Sequence, residues 1–223
     1  MHQRKSKKIL LYFFLLIVFS SISNYSLNDL KLNQIKNINI SGLEQKDKKI
    51  LFDKLKPLSK ENIFLINKNE IVKLINSNFL VEKYEVFKKY PSTIYVNVQK
   101  TNFLAKINKK GKIFFIGSNG KLIPVKNHDN NLPYIFGKPD INEFLKFKEI
   151  IDKSKFSYDS IDNLYFFPSN RWDIKLKEDI LLKLPQNYTH LNLDIMYEFL
   201  KNNRDKSLAI VDHRIGNQII LNE

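Results

Sequence analysis

Between residues 35 and 100 the apolar positions change their period in a set order, and each change marks an element. In "IKNINISGL" Ile38 and Ile40 share one side of a short strand that Gly42 closes. In "EQKDKKILFDKL" Ile50, Leu51 and Leu55 gather on one helical face, with charges on the other and Pro57 beyond the end. "NKNEIVKLINS" predicts a second helix, opened in capping-box fashion by Asn67 with Glu70 three residues on. Its buried stripe is Ile71, Leu74 and Ile75. "VEKYEVFKKY" and "STIYVNVQK" then read as two strands about a Tyr90-Pro91-Ser92 turn. In the second, Ile94, Val96 and Val98 alternate with Thr93, Tyr95, Asn97 and Gln99, giving one buried and one wet face. The expected unit is strand, helix, helix, strand, strand: two helices covering a small sheet.

From residue 103 onward short apolar runs recur between polar turns: "FLAKI", "KIFFI", "KLIPV", "NLYFF", "RWDIKL", "ILLKL", "SLAIV" and "NQIIL". "NKKG" and "GSNG" have the Asn and Gly chemistry of tight hairpins. Trp172, Ile174 and Leu176 alternate with Arg171, Asp173, Lys175 and Lys177, which predicts a sheet with one solvated face. Two helices interrupt the strands. One opens at Asp140 with Glu143 and carries Phe144, Phe147 and Ile151; the other, near residues 190 to 203, carries Leu193, Met196 and Leu200. The expectation is an α+β chain whose second half is an antiparallel, β-rich domain with flanking helices.

The amino terminus has neither pattern. "MHQRKSKK" holds Arg4, Lys5, Lys7 and Lys8 without an acid, and "ILLYFFLLIVF" (9–19) is unbroken apolar sequence. No charge follows until Asp29. A cleaved signal peptide and an uncleaved signal anchor over residues 9–27 both fit this arrangement. The lack of an Ala-x-Ala-like site favours the anchor, and in either case the basic flank stays inside while the bulk is exported.

Composition narrows the chemistry. The 223 residues carry a formal net charge of +14, from 37 lysines and arginines against 23 acids, and only four of the basic residues are arginine. Scattered lysine describes a solvated basic surface better than a nucleic-acid reader, which favours arginine forks. There is no cysteine, so disulfides and thiol chemistry are excluded. His2, His128, His190 and His213 show no metal-ligand spacing. "GSNGK" (117–121) lacks the spacing of a phosphate loop and reads as a hairpin turn. Asp159/Asp162 and Glu178/Asp179 read as solvated turn charges rather than general acid–base pairs. The aromatic residues Phe166, Phe167 and Trp172 fall at strand spacing, as core. The closing "VDHRIGNQIILNE" (211–223) sets Asp212, His213 and Arg214 side by side before a last strand-like run. On a strand Asp212 and Arg214 share a face and His213 points away, so a salt bridge that pins the backbone is expected there rather than a catalytic trio.

Several stretches, in order, resemble the FtsQ/DivIB family of bacterial cell-division proteins, whose first extracytoplasmic module is a POTRA domain. "INISGL" (38–43) is similar to the family's opening strand and glycine, and "FKKYPSTIYVNV" (87–98) to its hairpin. "LPYIFG" (132–137) resembles a Leu-Pro-x-x-x-Gly turn, "RWDIKL" a Trp-bearing strand, and "VDHR" (211–214) a Val-Asp-x-Arg motif near the carboxyl end. One departure stands out: where the family reads Glu-Arg-x-Pro-x-Ala after the hairpin, "KTNFLA" (100–105) keeps only Ala105, so the joint would lack its proline.

The resemblance implies a cytoplasmic tail (1–8), a membrane helix (9–27), a POTRA domain (35–100) and a β domain (101–223). It implies a non-enzymatic divisome scaffold of the inner membrane that acts in septum formation, with no cofactor, metal or catalytic residue and no nucleic-acid partner. Its partners would be the small bitopic proteins FtsB and FtsL, added as a strand to an exposed sheet edge. The residues expected to bind them are Gln218, Ile219, Ile220, Leu221 and Asn222, with Tyr95 on the wet POTRA face a secondary candidate. Three other readings stay open: a POTRA-bearing assembly or secretion factor, a cell-wall-active periplasmic enzyme using Asp212 and His213, and a polyanion or lipid binder.

Overall fold

The computed structural model describes residues 3–21, 34–124, 131–203, 208–215 and 218–222. Helix α1 (Gln3–Ser21) displays its apolar side chains, Ile9 to Phe19, at the surface. Among the described residues no helix is long and apolar enough to cross a membrane. Residues 22–27 of the expected anchor lie outside the described residues, as do Val125, Ser207 and Asn217 at the ends of three expected strands.

The first module follows the expected order. It runs β1 (Asn37–Ser41), α2 (Gln45–Leu55), a 3-10 turn (Lys56–Lys60), α3 (Lys68–Asn76), β2 (Val81–Lys89) and β3 (Thr93–Lys100). Asn67 caps α3, its side chain accepting from the Asn69 amide at 2.9 Å. The sheet order is β1-β3-β2, with β1 parallel and β2 antiparallel to the central β3. Leu51, Leu55, Ile71 and Ile75 from the helices close over Ile40, Ile94, Val96 and Val98 from the sheet. Ile50, expected on the buried face, is 40% exposed, because one residue along a helix turns by about 100° and Leu51 takes the inward position.

Among the described residues the second module is built on one nine-stranded sheet. Its strands are β4 (Phe103–Lys109), β5 (Lys112–Gly117), β6 (Leu122–Pro124), β7 (Tyr134–Phe136), β8 (Ile161–Phe166), β9 (Trp172–Leu176), β10 (Leu181–Lys183), β11 (Ile210–Asp212) and β12 (Ile220–Asn222). They lie in the order β12-β11-β10-β9-β8-β7-β4-β5-β6. The sheet is mixed rather than antiparallel: β4 with β7, β7 with β8, and β10 with β11 are parallel. The reason lies in the connections. Helix α4 (Ile141–Lys153) links β7 to β8 and α5 (His190–Asn202) links β10 to β11, and a helical crossover returns the chain in the same direction. "LPYIFG", which reads as a turn, contains the additional strand β7, inserted between β4 and β8.

Both helices pack on one face. Phe144, Phe147 and Ile151 of α4 and Leu193 and Met196 of α5 join Trp172, Ile174, Leu182 and Val211 of the sheet in one core. The Asp140–Glu143 capping box forms as expected.

The joint between the modules is held without a proline. The "GSNGK" turn between β5 and β6 reaches across to the end of α3. Asn119 Nδ2 donates to the carbonyls of Phe79 and Val81, both at 2.9 Å. Lys121 Nζ donates to the carbonyls of Asn76 and Asn78 at 2.9 and 3.2 Å, the place where a helix favours a cation. Ser118 bonds Glu82 and, at 3.0 Å, Thr101. Lys100, the last residue of β3, sits 2.9 Å from both Glu44 and Asp47, at the start of α2. A turn that reads as local hairpin chemistry therefore also couples the two modules.

Candidate partner-binding edge of the β-rich module

Strand register across the sheet sorts the residues near the carboxyl end into two rows. Cross-strand partners share a face, so Ile107, Ile135, Leu164, Ile174, Leu182, Val211 and Leu221 form one continuous apolar row. It is buried at every position up to Val211 and opens only at Leu221, which is 38% exposed. The adjacent row on the opposite face reads Phe136, Tyr165, Asp173, Lys183, Asp212 and Ile220. Phe136 and Tyr165 stack at 5.0 Å, and the row then becomes charged as it nears β12.

Two aspartates in that row are bracketed by arginines two residues away. Arg214 grips Asp212 through Nε, 2.9 Å from each carboxylate oxygen, and through Nη2 at 2.6 Å, while its own amide donates to Oδ1 at 3.1 Å. The salt bridge expected from "VDHR" is present. Arg171 holds Asp173 more loosely, at 3.2 and 3.4 Å, and Asp173 is buried rather than solvated as the alternation predicts. The electrostatic consequences oppose each other. The Arg214 hydrogen bonds hold the Asp212 carboxyl below the usual carboxylate range, whereas burial pushes Asp173 up against the weaker pull of Arg171.

These shifts give opposite pH signatures. The Asp212 contribution is present above its unfolded pKa and is lost as pH falls through its lowered folded value. That of Asp173 is present below its unfolded pKa and is lost as pH rises through its raised folded value. At pH 7, Asp212→Asn is expected to cost about 1 kcal/mol, a charge-assisted pair discounted for the partly exposed arginine. Asp173→Asn should cost less or be neutral. Urea melts at pH 7 and pH 3 check this: the Asp212→Asn penalty should shrink at the lower pH.

His213 is only 3% exposed and plays a part that the sequence reading missed. Its amide donates to the Lys183 carbonyl at 3.0 Å, extending the parallel β10–β11 ladder by one bond. Its ring Nδ1 lies 3.0 Å from the Gln218 carbonyl, which only accepts, so Nδ1 carries the proton. This clasp closes the turn between β11 and β12. A lone histidine with no metal spacing carries no signal for such a role. Asp212 is committed to Arg214 and His213 to Gln218, so the two do not converge as an acid–base pair.

The five expected binding residues fall at one end of the sheet. Ile220, Leu221 and Asn222 form β12, paired antiparallel with Asp212, Val211 and Ile210. Among the described residues nothing pairs with its other side, so it is an edge. Gln218 and Ile219 precede it. Gln218 is exposed in the turn, and Ile219 packs against the core. Ile220 is 50% exposed. Tyr95 lies in the other, three-stranded sheet, opposite Phe87 and beneath the Lys89 ammonium. Among the described residues no cluster of His, Asp or Glu could hold a metal.

The strand-helix-helix-strand-strand module joined to a β-rich sheet with an open carboxyl-terminal edge defines the class: a POTRA module followed by a β domain. Residues 33–100 match the family described as "POTRA domain, FtsQ-type". The chain is 24% identical over 163 residues to the cell division protein FtsQ of Rickettsia bellii, covering 68% of the chain and 57% of that protein. It is 29% identical over 155 residues to the cell division protein DivIB of Clostridium botulinum, covering 66% and 59% respectively. The chain thus spans about three fifths of the length of these relatives. A solved extracytoplasmic domain of DivIB from Geobacillus stearothermophilus is also similar, at 11% identity and a TM-score of 0.34, covering 47% of this chain and 98% of that one. Residues 33–100 are thus an FtsQ-type POTRA domain, and the chain is similar to FtsQ and DivIB cell division proteins over about two thirds of its length.

Proposed function

We propose that this protein is a non-enzymatic scaffold of the bacterial divisome that captures small bitopic division proteins, FtsB- and FtsL-like, by strand addition at β12. The relatives named as cell division proteins support the division role. The observation that carries the docking mode is the open side of β12, the last strand of a nine-stranded sheet. Among the described residues no strand pairs with its outward backbone N–H and C=O groups, which can extend the ladder. Three residues supply only two or three such bonds, each worth about 1 kcal/mol net. Affinity therefore requires pairing to continue along Gln218 and Ile219, and partner side chains to cover exposed Ile220 and Leu221.

In this reading residues 1–8 are cytoplasmic, residues 9–27 anchor the chain as a single pass, and residues 35–100 and 101–223 are the exported POTRA and β domains. The basic stretch Arg4–Lys8 ahead of eleven apolar residues supports the orientation. At 1.5 Å per residue, residues 9–27 reach about 28 Å, close to the hydrocarbon thickness.

The test is capture of the bitopic partners from the native host by the full chain, by a chain truncated after Gly216, and by Ile220→Asp. The side chain of Ile220 is half exposed, so its replacement leaves the fold intact. Both variants are expected to lose the partners and to fail to restore septa in cells depleted of the protein. Retention of the partners by both would eliminate β12 as the docking strand.

A further inference from the structure

The end of the POTRA domain at which the chain enters carries an apolar cluster that the β12 reading does not use. Leu65 is 82% exposed, Tyr90 55% and Phe64 54%, an unusual display for three large side chains in adjacent turns. Phe64 and Tyr90 stack at 4.7 Å, so the two rings form one flat surface. Backbone bonds gather the turns that hold them. The Ile35 amide donates to the Glu61 carbonyl, Lys36 to Ser92, and Leu65 and Ile66 to Asn62. Gln34 and Asn62 form a bridge beside them.

Position within the domain gives the cluster its meaning. Strands β1 and β3 are parallel, and both begin at this end. Strand β3 then runs eight residues to Lys100 and the joint with the β domain. At about 3.3 Å per residue, the aromatic turns and the joint are roughly 25 Å apart. The cluster thus sits at the pole where the chain enters the domain at Gln34, at the opposite end of β3 from the joint with the β domain. Six residues lie between residue 27 and Gln34, seven Cα–Cα steps with a reach of at most about 25 Å. The segments forming this pole, 34–37, 60–67 and 88–92, contain Lys36, Lys60, Lys88 and Lys89 against the single acid Glu61.

Aromatic and aliphatic tips on lysine-bearing turns are the chemistry of a bilayer interface, where rings sit at headgroup depth and ammonium groups meet lipid phosphates. We propose that Phe64, Leu65 and Tyr90 form a foot that rests the POTRA domain on the bilayer surface. The inference depends on the amino-terminal segment being a membrane anchor. The foot then sets the orientation of the POTRA domain, and through the bonded joint that of the β domain, relative to the membrane.

The chain lacks cysteine, so single-cysteine probes are available. Full-length Leu65→Cys and, at a remote turn of the β domain, Asn170→Cys would each carry an environment-sensitive fluorophore. Both would be reconstituted into phosphatidylethanolamine–phosphatidylglycerol vesicles containing headgroup-depth quencher lipid. The expected result is that both chains float with the vesicles while only the probe at 65 is blue-shifted and quenched. Adding Phe64→Ser and Tyr90→Ser should return that probe to the exposure of the one at 170. If the chains float but the probe at 65 stays in water, the foot is refuted and the anchor stands. Equal quenching at both positions refutes a specific foot as well. If the chains fail to float, the anchor itself is refuted, and the foot with it.

Discussion

Replacing Gly42 with alanine is expected to destabilise the POTRA module by roughly 3 kcal/mol or more, combining left-handed backbone strain with overpacking. Gly42 follows β1 with φ at +86°, and a Cβ there would fall 1.7 Å from the carbonyl oxygen of Val98. That oxygen belongs to β3, the central strand, so it cannot give way without disturbing the pairings with β1 and β2. The glycine of "INISGL" is thus required by close backbone approach. Against a typical total of about 5–15 kcal/mol, such a loss leaves the module marginal. Denaturant melts should show a lowered midpoint, and hydrogen exchange should locate the loss of protection in β1 and β3. An unchanged midpoint would mean that the strand can shift without penalty.

Trp172→Ala is expected to cost about 4 kcal/mol, the range for deleting a fully buried indole plus its ring contacts. Trp172 is 0% exposed and opens β9. It stacks on Phe147 at 4.6 Å and meets Phe166 at 4.9 Å and Phe144 at 6.5 Å. Helix α4 therefore rests on the sheet largely through this ring. Because the two modules have separate cores, the loss should be confined to the β domain. Near-UV circular dichroism, in which the chain's one tryptophan dominates, cannot follow its own deletion; exchange protection of β8, β9 and α4 can. If β12 docks partners as proposed, their capture should fall with it, since Val211 and Ile219 belong to the same core as Trp172.

The POTRA module was legible almost element by element, because its helices and strands are short and amphipathic and α3 is capped by its own Asn67. The β domain was legible as a set of strands but not as a sheet. The apolar run of "LPYIFG" looked like a turn because a three-residue strand carries too little alternation to register. Parallel pairing escaped notice for a related reason, since period-2 alternation is the same in either direction. The burial of Asp173 escaped it too: an aspartate in an alternating strand looks solvated until Arg171 and the neighbouring strand are placed over it. Gln218 to Asn222 could be proposed as part of a strand because the run after Gly216 is short and apolar between polar residues. Their seating on the Ile174–Leu182–Val211 row could not.

By itself the sequence determined where the elements lie, which faces are apolar, that cysteine chemistry is excluded, and that Asp212 and Arg214 would pair. Those properties depend on local periodicity and on neighbours two to four residues apart. Only the tertiary structure decided strand order, the hairpin turn's bonds to a distant helix end, the His213 clasp, and the gathering of Phe64, Leu65 and Tyr90 at the entering pole. All but the five-residue clasp bring together groups far apart in the chain, and such contacts depend on how the backbone crosses itself rather than on any pattern along it.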